Sequence, residues 1–108
     1  MIILFDHGTP APLEAFLIDH SVKRAKDLGW DTLSNGGLLK AAEEAHFEIL
    51  LTTDKNMPFQ QNLAKRGIAI VVLGNSRWHL VRRHVERVVA AVNAARPGTY
   101  VEVEVPEG

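Results

Sequence analysis

Short apolar runs recur along the chain, and each ends on polar residues that open a turn or a helix. IILF at 2–5, FEILLT at 47–52 and IAIVVL at 68–73 carry little alternation. Runs of this kind suit parallel strands buried on both faces. Between them the period changes to that of helices. Pro10 to about Ile18 places Leu13, Phe16 and Leu17 on one side, with Thr9 as N-cap and Pro10 at the first helical position. Gly36 to His46 carries Leu38, Leu39, Ala42 and Ala45, with Ser34 or Asn35 as cap. Gly37 stands where a capping box starting at Ser34 wants Glu or Gln. Pro58 to Arg66 reads as a helix closed by Gly67 as the C′ residue. Arg77 to about Ala95, capped by Ser76, buries Leu80, Val81, His84, Val85, Val88, Val89 and Val92. Arg96-Pro97-Gly98 ends that helix.

Two further strands complete the pattern. His20–Arg24 is short and only weakly alternating, and a helical turn at Ala25–Gly29 follows it. Tyr100–Val105, YVEVEV, alternates cleanly and so has one wet face, which places it at an edge or against a partner. Strands interleaved with helices predict an α/β/α sandwich with a mainly parallel sheet. The strands Ile2–Phe5 and Ile68–Leu73 are expected to flank the Phe47–Thr52 strand, all parallel. The last strand is left open to antiparallel pairing or to leaving the sheet.

The bulk properties narrow the classes. A chain of 108 residues with 46% hydrophobic residues reads as one domain, 1–108, with a core that needs no staples. A net charge of −1 gives no global basic field for nucleic acid. The chain has no cysteine, which excludes disulfides and thiolate metal sites and fits the cytoplasm. No apolar run reaches the roughly 18 residues of a membrane helix. MIILFDHG has no basic n-region and is read as a strand, not a signal peptide. There is no GxGxxG, Walker A or GxSxG motif.

The candidate chemistry sits where strands end. Asp6 follows the first strand and Asp54 the central one, and parallel neighbours would bring both to one sheet edge. Two such acids can hold Mg²⁺ or Mn²⁺, which orients a phosphodiester and activates water. The plain alternative is that each Asp satisfies loop amides or caps a helix. Asn35, Asn56, Gln60 and Gln61 fall on the same side and could orient a phosphate or a water, although capping is the ordinary use of such amides. Arg77, Arg82, Arg83 and Arg87 form a basic surface beside Trp78, either a solvated face or a phosphate track. Trp30 is expected to anchor its loop on the core. The five histidines show no ligand spacing.

At these residues the chain resembles the short PIN-like domains of bacterial toxin-type proteins, relatives of the PIN ribonucleases. The matching segments are the opening strand with Asp6 and Pro10, GWDTLSNG with its LL helix, the strand–TTD stretch with Asp54, QQNL and IAIVVL. The resemblance covers roughly residues 1–92. It implies a Mg²⁺- or Mn²⁺-dependent endoribonuclease acting on RNA, with Asp6 and Asp54 as catalytic metal ligands and an antitoxin protein as partner. Asn35, Asn56, Gln60, Gln61 and Arg77 are the substrate-side candidates. The chain departs from the family in its acids. It has Asn35, Gly36 and Gly37 at the helix entry and Asn56 after Asp54, where relatives carry further carboxylates. A degenerate, non-catalytic PIN-like module that binds RNA or a protein is the alternative. A small-molecule-binding domain with a receiver-like sheet is a remoter one. Residues 99–105 are expected either to join a twofold homodimer or to fold back on their own sheet.

Overall fold

The computed structural model describes residues 1–60 and 62–107. Its centre is a five-stranded sheet in the order β2-β1-β3-β4-β5. The strands are β1 (Ile2–Phe5), β2 (Ser21–Arg24), β3 (Ile49–Thr52), β4 (Ala69–Leu73) and β5 (Tyr100–Val103). Every pairing is parallel, β4 with β5 included. The expected β1–β3–β4 neighbourhood therefore forms. The alternating last strand neither turns antiparallel nor leaves the sheet; it is the edge.

Burial follows position in the sheet. All residues of β3 and β4 are buried, whereas β2 and β5 are mostly exposed. Side chains of a strand alternate between faces, so each inner strand feeds two cores. Ile3, Phe5, Ile49, Leu51, Val71 and Leu73 pack on one side against Leu13, Leu17, Leu80, Val81, Val88 and Val92. Leu4, Leu50, Ile70 and Val72 pack on the other against Leu38, Leu39, Ala42, Met57 and Leu63. The first layer holds the 3₁₀ helix Ala11–Phe16 with α3 (Trp78–Val81) and α4 (Val85–Ala94), and the second holds α1 (Asn35–Glu44) and α2 (Met57–Gln60). Trp30 closes the second layer edge-on to Phe47, with ring centroids 6.0 Å apart, as its loop was expected to do.

Several local expectations are corrected. The segment after Pro10 is a 3₁₀ helix with no side-chain cap. Thr9 spends its hydroxyl on the carbonyl of Leu51 at 3.0 Å, tying the exit of β1 to β3. Phe16 is 46% exposed and meets Trp78 at 5.8 Å rather than facing the core. Ser34 is the α1 cap, accepting from the Gly37 amide, and Ala45 is exposed. The helix expected over Pro58–Arg66 is interrupted. A single turn, α2, precedes a 3₁₀ turn at Leu63–Lys65, and Asn62 between them has ψ 76°, outside the helical range. Gly67 follows the Arg66 C-cap, as expected of a C′ residue, but without a left-handed φ; its amide donates to Glu43 Oε2 at 3.4 Å. Ser76 does not cap α3; the Asn75 side chain accepts from the Arg77 amide at 2.9 Å.

Candidate functional site

The connections around β1 and β3 open the site. The chain leaving β1 enters the layer that holds the Ala11–Phe16 helix. The chain leaving β3 enters the opposite layer through α2. Two neighbouring parallel strands whose exits diverge to opposite faces leave a crevice at their carboxyl ends, the switch point of a 2-1-3-4-5 sheet. Asp6 and Asp54 stand on the two sides of it.

Register sets the contacts there. Phe5 is paired with Leu51, so the next positions, Asp6 and Thr52, come side by side. Thr52 is fully buried and is the one buried polar residue among those described. Its hydroxyl donates to Asp6 Oδ2 at 2.7 Å and accepts from the Asp54 amide at 3.1 Å. One buried oxygen therefore links the two acids. The other Asp6 oxygen accepts from the His7 amide at 2.7 Å. Gly8 shapes this exit loop: its φ is +91°, which L side chains avoid, and a Cβ there would meet Thr53 Oγ1 at 3.1 Å.

Asp54 is held from two sides. Its Oδ1 accepts from the Asn56 amide at 2.9 Å, the local Asx geometry that loop aspartates favour. Its Oδ2 accepts from the Asn35 side chain at 2.9 Å. Asn35 opens α1, which has no acid in its own first turn. Asp54 supplies the negative charge that a helix N-terminus favours.

No protein-family model, curated protein or solved structure matches the chain. No family is thereby identified. Of the PIN-like resemblance, the architecture is what the structure bears out: a small α/β domain with a five-stranded parallel sheet.

The structure thus brings Asp6, Asp54 and Asn35 together, with Thr52 as the link. Asn56 joins through its backbone amide. Arg77 lies at the exit of β4, exposed, and touches none of these side chains through the bonds described. The Gln60 side chain and Gln61 lie outside the described residues. Glu43 turns to Arg66 at 2.6 Å, so it is committed elsewhere, and Glu44 is exposed. Thr52 is the residue that reading by motif missed. The trace it leaves is a threonine ending an apolar run just before an acid.

The acids can hold a hard cation to a limited extent. Among the described residues no three His, Asp or Glu side chains converge for a metal. All four carboxylate oxygens of Asp6 and Asp54 already accept one hydrogen bond. Each such oxygen has a second lone pair. Mg²⁺ is commonly held by one or two carboxylates together with waters and substrate phosphates, and this donor set fits that mode. No helix among the described residues is long and apolar enough to cross a membrane.

Proposed function

We propose that the Asp6–Asp54 edge is the active site of a Mg²⁺- or Mn²⁺-dependent endoribonuclease of the PIN type, acting in the cytoplasm as the toxin of a toxin–antitoxin pair. The observation that carries the reading is the shared buried hydroxyl of Thr52, which fixes two strand-end acids at the β1/β3 crevice. When bound, the cation supplies Lewis-acid polarisation of a phosphoryl oxygen and a water of lowered pKa. The chain's own residues hold and orient. Asp6 and Asp54 are the ligands, Thr52 fixes one oxygen of Asp6, and Asn35 fixes one oxygen of Asp54. Asn56, through its amide, keeps the second Asp54 oxygen in place. Asn35 is thus a positioning residue.

The test is cleavage of single-stranded RNA with Mg²⁺ or Mn²⁺, in the wild type and in Asp54→Asn. The variant should lose cleavage with its melting temperature nearly unchanged. The substituted side chain keeps a carbonyl oxygen to accept from the Asn56 amide, and the Asn35 amide can turn its own oxygen toward the new NH₂. Metal-independent cleavage, or full activity in Asp6→Asn/Asp54→Asn, overturns the assignment.

A second reading, a non-catalytic module that binds RNA or a protein, is favoured by one observation. Every oxygen of the two acids is hydrogen-bonded within the fold, and no third acid joins them among the described residues. Absence of both cleavage and a calorimetric signal at millimolar Mg²⁺ or Mn²⁺ selects that reading.

A further inference from the structure

The geometry points to a phosphate subsite between β1 and β2, in which Arg24 and Lys26 hold a phosphate of single-stranded RNA next to the one at the Asp6–Asp54 edge. This rests on the reading of that edge as a phosphodiester site. A cavity of about 110 Å³ lies against Asp6, lined also by His7, Gly8, Thr9, Arg24 and Lys26. It has room for a phosphate group.

Arg24 and Lys26 line it, and neither is tightly paired among the described residues. Among the described residues Asp6 makes no ion pair with either cation; its oxygens accept from the His7 amide and the Thr52 hydroxyl, and its charge stays at one end of the cavity. Lys26 is exposed and makes no ion pair among the described residues. Arg24 meets Glu14 through a single nitrogen at 3.3 Å, and both side chains are nearly half exposed. Such a pair is weak and exchangeable. The guanidinium has five N–H donors in a fork that matches phosphate, so most of them remain available.

The flanks give the site a direction. Toward β5, the groove at the sheet's carboxyl edge is lined by Lys55 with Glu102 and Glu104, which repel phosphate. Arg24 also lines the next cavity, where Glu14 and Asp27 offset its charge and that of Lys23, so the positive region does not extend further. An RNA strand crossing Asp6 is therefore drawn over β2 and away from β5.

The experiment is fluorescence anisotropy of a short single-stranded RNA in EDTA over a NaCl series, so that binding is read without metal or cleavage. Each phosphate contact adds about 0.7 to the slope of log K against log salt for single strands. Arg24→Gln/Lys26→Gln should lower the slope's magnitude by about 0.7, the share of the one phosphate that the two hold, and Lys26→Gln alone by less. Arg83→Gln/Arg87→Gln, on the outer helices, should leave it unchanged. Circular dichroism checks that each variant folds. An unchanged slope in the first pair, an equal loss in both pairs, or no RNA binding by the wild type overturns the subsite. Cleavage with Mn²⁺ is assayed separately. Wild-type cleavage with an unchanged slope sinks the subsite alone, whereas the expected slope loss without wild-type cleavage sinks the nuclease reading alone.

Discussion

Thr52 shows how one hydroxyl can set a site. Its Oγ has no contact with solvent and serves an acid on each neighbouring strand end. Thr52→Val keeps the shape and removes the oxygen, leaving Asp6 Oδ2 and the Asp54 amide short of a partner. An unmet buried or half-buried polar group costs about 1–3 kcal/mol. Urea unfolding of Thr52→Val should show a loss in that range, together with weaker Mn²⁺ binding in calorimetry. An unchanged midpoint would mean that water replaces the hydroxyl and that the acids are not fixed by it. The acids themselves were legible, since Asp6 and Asp54 end apolar runs. The link was not, because a β-branched threonine ending an apolar run reads as strand propensity. Only the β1–β3 register makes it a bridge.

At the scale of elements, the end of α1 illustrates a local conflict settled by packing. The helix stops at Glu44, two residues before the expected His46. The His46 amide donates to Glu43 O, and the Phe47 amide donates to Ala42 O at 2.9 Å. Those two bonds make a Schellman motif, which calls for a left-handed residue at C′. His46 occupies it with φ 66°, a position where glycine is the usual choice. Phe47 enforces the turn, because its ring is buried with Leu38, Leu39 and Ala42 in the core above the sheet. The left-handed conformation costs a non-glycine residue about 1–2 kcal/mol, partly offset by the chain entropy that glycine loses. His46→Gly should therefore raise stability by about 0.5–1 kcal/mol. Thermal unfolding would register this as a rise of a few degrees; a fall would mean that the histidine contributes a contact of its own.

For the whole molecule, the open edge is β5. The amides of Ile70 and Gly74 bond the carbonyls of Thr99 and Val103, so these odd-numbered residues face β4. By alternation the Glu102 N–H and C=O point away from the sheet. Val101 is 40% exposed beside the small side chains Ala91 and Ala94 of α4 and Ala95 at its C-cap, which leave a groove of about 240 Å³. Residues 99–105 fold back on their own sheet, the second of the two expectations; we propose that the edge so left also pairs with a second copy about a twofold axis. Deleting the strand is no clean test, because Val103 and Val105 belong to the core. Glu102→Pro is cleaner. It removes an outward N–H, which edge strands tolerate, and spares the bonds to β4. Light scattering at high micromolar concentration should find a dimer for the wild type and a folded monomer for Glu102→Pro. A monomeric wild type, or a dimeric variant, ends the idea.

The sequence by itself determined the alternation of strands with helical segments and the class of fold. Apolar runs of strand length and helical periodicities are local quantities, so Ile2–Phe5, all but the first residue of Ile68–Leu73 and the stripe of Val88 and Val92 could be read directly, whereas the single helix expected over Arg77–Ala95 is broken by a 3₁₀ turn at Arg82–His84. The direction of β5 could not. Alternation reports that one face is wet, which an edge strand shows whether it is parallel or antiparallel. The site divided in the same way. Two acids after two strands are visible in a linear chain. Their junction through Thr52, the tie of Asn35 to Asp54 and the turning of Glu43 toward Arg66 are contacts across 46, 19 and 23 residues. Such contacts depend on strand register and helix placement, and those are fixed when two hydrophobic layers close on opposite faces of one sheet.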